Sequence, residues 1–231
     1  MLIVGWDDTL VGSGAWIVKN SYGTDWGDDG YFYIGYEIAG IGSSLATVTD
    51  WDVISSLNKL HFFDEAGQTH QMSISDTNFL SGSVMALFSP APNEIPRAVE
   101  FWTNDAATVS IEIFEQFDGI NPVNLLYQST DLEIPYAGYQ QIKINQYLEI
   151  PEGSEIAVVL NVKNKSNFHP IALDRHGPMS SDKTWYKNEL GIWQSLPAIL
   201  VLNYDATIRL RTLIIPEELN HKIFLPIVST N

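Results

Sequence analysis

The residue type and setting that most plainly invite chemistry are those of Asn20, within A-W-I-V-K-N-S-Y-G-T-D-W-G-D-D-G-Y-F-Y, Ala15 to Tyr33. Trp16, Val18 and Asn20 alternate along one face of a strand-like run, with Ile17 and Lys19 on the other. A half-buried Asn where a strand runs out must find partners for its amide. Two uses are open. The amide can close the turn that follows, or its oxygen can hold an imidazole in one tautomer and orientation. Tyr22 and Trp26 follow it in sequence, and Trp26 could equally be a core-packing residue. The clustered acids Asp7, Asp8, Asp25, Asp28 and Asp29 offer carboxylate oxygens to a hard cation, but lack the spacing of a calcium loop, so a solvated acidic loop is the better reading. His61, His70, His169, His176 and His221 are scattered, with no metal-binding spacing, and Asp174 with His176 is too common a pair to mark a triad. No metal or cofactor is expected.

These side chains need elements to position them. Leu2–Trp6, Ala15–Asn20 and Gly30–Tyr36 read as three strands, the first two joined by the Asp- and Gly-rich loop Asp7–Gly14. Gly23, Gly27 and Gly30 punctuate the second connection. So short a sheet must pack on other polypeptide. Residues 37–59, with Gly40, Gly42, Ser43 and Ser44, read as a linker or wrap-around segment that could include a strand over Thr47–Val53. From Leu60 the texture is all-β. Val84–Phe88, Ala98–Thr103, Thr108–Phe114, Asn124–Gln128, Gln140–Ile144 and Ile156–Val162 read as short strands between turns such as Asp118-Gly119 and Pro151-Glu152-Gly153. That spacing predicts a jelly-roll-type antiparallel β-sandwich over residues 60–213, followed by a tail over residues 214–231.

Composition narrows the function. The 231 residues carry 28 acidic and 12 basic side chains, a net charge of −16, which argues against nucleic acid and against an anionic membrane surface. There are no cysteines, which excludes disulfides and zinc–thiolate sites, and no apolar run long enough for a membrane span.

The pattern N-S-Y-G-T-D-W-G-D-D-G-Y, Asn20 to Tyr31, and the preceding L-I-V-G-W-D-D resemble the end of the catalytic domain of papain-like cysteine peptidases. The resemblance implies that Asn20 orients the catalytic His, and that Tyr22, Trp26 and Gly23 support the active site. Tyr22 stands where the family usually has Trp. The family His opens the first strand six residues before the glycine, here Gly5, which places it two positions before Met1. The nucleophilic Cys lies about 130 to 150 residues before the Asn. The expectation is therefore a C-terminal fragment, residues 1–36 of it peptidase, inactive alone, from an extracellular or cell-surface enzyme whose signal peptide lies upstream and whose substrate is peptide or protein.

The second block resembles the lectin-like domain that follows the peptidase domain in bacterial and archaeal members. L-H-F-F-D-E-A-G, A-V-E-F-W-T, S-I-E-I-F, A-G-Y-Q-Q-I-K-I, E-G-S-E-I-A-V-V-L, H-P-I-A-L-D and T-W-Y-K-N-E-L-G-I-W-Q-S-L carry that likeness. Aromatic residues are frequent there, including Trp102, Tyr127, Tyr136 and Tyr139. Trp185, Tyr186 and Trp193 flank a hairpin tip at Lys187–Gly191, where an exposed platform could stack a sugar ring. The alternative to the peptidase reading is thus a carbohydrate- or surface-binding sandwich without catalysis.

Overall fold

The computed structural model describes residues 1–10, 12–36, 38, 55–73, 80–178, 182–196 and 204–216. The chain divides into two compact units, Met1–Asp52 and Val53–Asn231. The strand read over Thr47–Val53, most of the expected linker, His221 and most of the expected tail lie outside the described residues.

The first unit is an antiparallel meander of β1 (Leu2–Asp7), β2 (Ala15–Lys19) and β3 (Tyr31–Gly35), with β2 in the middle. These are the three strands expected from sequence, the first one residue longer and the other two shorter by a residue at one or both ends. Val18 pairs with Ile3 on one side and Phe32 on the other, and it is buried with Ala15. The β1 ladder shifts between Ile3 and Gly5. Trp16 meets Tyr36 edge-on at 5.0 Å, and the Tyr36 hydroxyl donates to Asp8 Oδ1 at 2.7 Å.

The second unit contains β4 (Asn58–His61), β5 (His70–Met72), β6 (Ser81–Phe88), β7 (Glu94–Thr103), β8 (Ala107–Phe117), β9 (Pro122–Ile134), β10 (Gly138–Lys143) and β11 (Ile156–Asn164). It continues with β12 (Ile171–Asp174), β13 (Thr184–Lys187), β14 (Trp193–Ser195), β15 (Asp205–Ala206) and β16 (Ile208–Ile214). A four-stranded sheet, β10-β7-β16-β4, and a six-stranded sheet, β14-β13-β6-β11-β8-β9, contribute to one apolar core, making the antiparallel sandwich. A small sheet, β15-β12-β5, adds to that core through Ile171, Leu173 and Ala206.

Strand patterns explain which faces are dry. In β8, Ala107, Val109, Ile111 and Ile113 are buried in the core while Thr108, Ser110 and Glu112 are half-buried on the other face. β11 reads as a continuous apolar run because both of its faces are covered. Ile156, Val158, Leu160 and Val162 enter the inter-sheet core, while Ala157 and Val159 pack with Met85, Leu87 and Trp193. β9 is longer than its sequence suggests. Its polar residues include Asp131, which takes a positive φ of 54° where the ladder to β8 shifts register.

The four-stranded sheet is wired by buried carboxylates, Glu100 on its outer face and Glu94 on the side of Thr212 and His61. Gln141, Glu100 and Arg209 stand in one cross-strand row. Glu100 is fully buried and accepts hydrogen bonds from Arg211 Nε, the Tyr139 hydroxyl and, at 2.7 Å, Gln141 Nε2. Burial alone would push its carboxyl up, but the bonds from Arg211, Tyr139 and Gln141 outweigh that and hold it below its ordinary value. Glu94, likewise buried, accepts from Lys59 Nζ at 2.8 Å and Thr212 Oγ1 at 2.9 Å, and pairs with His61 Nε2 at 2.5 Å. There too burial raises the carboxyl, and the bonds from Lys59, His61 and Thr212 bring it below its ordinary value. Asp64 runs the other way. Burial pushes it up to about 6 although Arg209 pulls it down, so its ionisation costs stability as pH rises from 3.8 towards 6.

A depressed carboxyl contributes stability above its unfolded-state value, here 4.5, and loses it as pH falls through the lower folded-state value. Glu100→Gln should therefore destabilise the sandwich by about 1–3 kcal/mol at neutral pH, measured by urea unfolding. The gap to the parent protein should narrow as pH falls through the lowered folded-state value, where Glu100 itself becomes neutral. A gap that is constant across the acid range would show that Glu100 is not held ionised by its partners.

Candidate active-site residues in the first unit

Asn20 directly follows β2. Its backbone N–H donates to Gly30 O at 2.9 Å, which ties it to the start of β3. Its side chain is half-buried, and Oδ1 accepts the Ser21 backbone N–H at 2.9 Å. That bond is the turn-closing use open from sequence, and it also limits rotation of the amide. A carbonyl oxygen has two lone pairs, so Oδ1 keeps capacity for a second donor. The two uses of Asn20 are therefore compatible.

The loop that follows is held by its own backbone. Gly30 N–H donates to Trp26 O at 2.7 Å, and Asp28 and Tyr31 exchange two bonds of 2.9 Å. Gly30 has φ of +91°, and a Cβ there would stand 2.9 Å from Gly23 O, so both conformation and space demand glycine. Gly23 also has a positive φ, of 85°, but open space beside it. The loop presents a short chain of rings. Tyr22, 70% exposed, meets Trp26 edge-on at 5.5 Å, and Trp26 meets Phe32 of β3 edge-on at 5.6 Å. Tyr22, Gly23 and Trp26 thus sit on one loop with Asn20, and the ring chain is anchored to the sheet through Phe32.

The acidic residues of this unit satisfy their own loops. Asp7 Oδ1 accepts from Thr9 N–H and Oγ1 at 2.8 and 2.6 Å, Asp8 takes the Tyr36 hydroxyl, and Asp28 takes that of Tyr33 at 3.3 Å. The bonds from Thr9 hold the Asp7 carboxyl below its ordinary value, while the bond to Asp8 pushes the Tyr36 phenol up to about 12. Among the described residues no group of three or more His, Asp or Glu is arranged to hold a metal ion.

In the second unit Asp174 is a loop staple. It accepts backbone N–H bonds from Ala66, His176 and Gly177, and a hydroxyl bond from Thr69. His70 stacks on Tyr204 with centroids 5.1 Å apart. Trp185, Tyr186 and Trp193 do lie on a hairpin, β13–β14, with Asn188 closing its tip by accepting from Leu190 and Ile192 N–H. The rings are not displayed together as expected. Trp193 is only 6% exposed and packs with Met85, Leu87, Ala157 and Val159. Trp185 meets Phe117 edge-on at 4.8 Å, and the Tyr186 hydroxyl donates to Gln194 Oε1. The exposed apolar residues of the tip are Leu190 and Ile192. The reason is that β13 borders β6, whose Met85 and Leu87 need cover on that face.

Sequence reasoning did not single out Glu94 or Glu100, because nothing local marks a charged residue whose partners lie on two other strands. The alternation in Ile208–Ile214, with Arg209 and Arg211 between apolar residues, was a usable signal for β16 and its two guanidinium groups.

Comparison with known proteins places this geometry in a family. The family described as Lectin like domain matches residues 60–189, more than half of the chain, and the chain belongs to it. The family described as Papain family cysteine protease matches residues 1–49, the segment that carries Asn20 and its loop. Among solved structures, the clostridial cysteine protease Cwp84, an alanine variant after propeptide cleavage, is 20% identical with a TM-score of 0.69, over 92% of this chain and 57% of that one. The cysteine protease and lectin-like domains of Cwp84, described as a surface layer associated protein of Clostridium difficile, are 19% identical with a TM-score of 0.64, over 92% of this chain and 51% of that one. At such identity the likeness is one of fold. This chain spans little more than half the length of those structures. No curated protein matches it. Among the described residues no helix is long and apolar enough to cross a membrane.

Gly30→Ala should cost the Asn20 loop about 1–3 kcal/mol, the range for a side chain forced into an unfavourable backbone conformation. Amide hydrogen exchange should rise at Trp26–Tyr31 and stay unchanged in β11. Unchanged exchange in the loop would show that the close approach to Gly23 does not constrain it.

Proposed function

We propose that this chain supplies the Asn-bearing end of a papain-like cysteine endopeptidase together with its lectin-like domain, and that Asn20 is the positioning residue for the catalytic imidazole. The observation that carries the reading is Asn20 itself. It directly follows β2, its amide is fixed by the Ser21 bond with acceptor capacity left over, and it lies inside the segment matched by the papain family. The 231 residues contain no Cys, so thiolate chemistry requires polypeptide outside them.

In the assembled site a Cys thiolate attacks the peptide carbonyl carbon, and an imidazolium gives its proton to the leaving amine. Asn20 Oδ1 accepts the N–H of that imidazole and holds its ring in the plane that serves both steps. Tyr22 and Trp26 shield the bond from water, and Tyr22, being exposed and polar-tipped, does so less fully than a Trp. The substrate is a peptide or protein segment. A cell-surface location is supported by the fold likeness to Cwp84, a surface layer associated protein.

The test compares this chain with one extended upstream through the Cys and His positions, on a fluorogenic peptide. The short chain should be inactive and the extended chain active. Asn20→Ala in the extended chain should lower kcat about ten- to a hundredfold with little change in KM. Hydrolysis by the short chain alone, or full activity of the Asn20→Ala enzyme, would refute the reading.

A further inference from the structure

A cavity of 370 Å3 in the second unit has no part in the reading above. Its volume falls in the range of ligand sites, roughly 300–1,000 Å3. Leu60, His61, Phe62 and Phe63 line it in unbroken succession. Successive residues of an extended chain point to opposite faces, so a cavity touching all four lies beside the strand rather than above it. The opposite wall is another consecutive run, Leu87 to Ser89, at the end of β6. The cavity therefore sits where β4, an edge strand, parts from the six-stranded sheet.

The backbone of β4 is polarised with respect to that cavity. β4 pairs on one side with β16, and no other described strand pairs with it. Ile214 N–H donates to Leu57 O at 2.7 Å, in register with the Leu213–Asn58, Arg211–Leu60 and Leu210–His61 pairs. Antiparallel ladders alternate between hydrogen-bonded and non-bonded pairs. Lys59 and His61 therefore spend their backbone groups on β16, and Asn58, Leu60 and Phe62 turn theirs to the open side. Leu60 and Phe62 are the two that also line the cavity.

The side chains make this edge rigid and selective. Phe63 stacks on Phe88 at 5.3 Å, forming an apolar floor. His61 is held by buried Glu94, and Phe62, 41% exposed, is braced by the Arg209 guanidinium 5.1 Å from its ring centre. The Lys183–Glu155 ion pair stands at the mouth. The geometry points to a binding site for an extended polypeptide segment that adds a strand to β4 and places one leucine- or aromatic-sized side chain in the cavity. Paired N–H and C=O groups spaced as in a strand match a peptide backbone, and a sugar has no such repeat.

The test uses the whole chain as bait for a phage-displayed random peptide library. Selected peptides should share one large apolar position within an extended sequence. A selected peptide, made with a fluorophore, should bind the Leu60→Pro variant about tenfold or more weakly, because the outward N–H is lost. Proline is tolerated at an edge whose N–H is not in the ladder. If Leu60→Pro unfolds, Phe62→Ala serves instead, and it should weaken binding to a similar degree. Bound peptide should slow hydrogen exchange at the Leu60 and Phe62 amides and leave Lys59 and His61 unchanged. No enrichment from the library, binding indifferent to Leu60→Pro and Phe62→Ala, or protection at Lys59 and His61 instead would each overturn strand addition. So would a glycan array whose hits are lost in Phe62→Ala and retained in Leu60→Pro. None of these readings depends on peptidase activity, so failure here and failure of the Asn20 assignment are separate results.

Discussion

The larger unit depends on burial of apolar side chains between two antiparallel sheets. Each strand has two faces, and one of them turns to the layer between the sheets. Ile111, Ile113, Phe101, Ile208 and Leu210 come from three strands and both large sheets, and all are fully buried. At about 25 cal/mol per Å2 of apolar surface removed from water, such contacts are the dominant favourable contribution to folding. Everything else in the unit is arranged around keeping that layer closed. The loop carboxylates do so from outside. Asp105 accepts from Ser166 N–H, Ser166 Oγ and Asn167 N–H, which joins the β7–β8 turn to the loop after β11.

The buried carboxylates of the four-stranded sheet show the opposite economy. Glu100 and Glu94 are buried without an apolar reason, and each is kept ionised by three donors. Removing one donor would leave a buried charge short of partners, which is costly, so the set behaves as a unit. Such a network ties β4, β7, β10 and β16 together in one register. It also braces Phe62 through Arg209, and so gives the open edge of β4 a fixed shape.

The first unit is organised differently. Its described residues form three short strands with few fully buried side chains, of which Ala15 and Val18 are two. Its order comes from backbone closure in the loop after Asn20 and from the ring contacts of Trp16, Tyr36, Trp26 and Phe32. A side chain that must orient a partner gains from such local closure, because the Ser21 bond and the Gly30 bond set the position of Asn20 before any partner arrives.

The local code accounts for much of this. Strand-like runs between turn residues placed β2, β3, β7, β8 and β11, and the spacing of Asn20, Gly23, Trp26 and Gly30 identified the loop and its family. These are short-range properties, governed by side-chain period and by the few residues that accept positive φ. What could not be read locally depends on who lies across the sheet. The packing of Trp193 follows from Met85 and Leu87 on a strand about a hundred residues away in sequence, at a distance no periodicity encodes. The same holds for Glu100, whose partners Arg211, Tyr139 and Gln141 come from two other strands, and for the side of β4 on which no described strand pairs, β16 lying along its other edge. Residue types and spacing determined the strands, the Asn20 loop and the all-β class. Tertiary structure alone decided which faces are wet, because burial is a property of the neighbours a strand acquires and not of the strand.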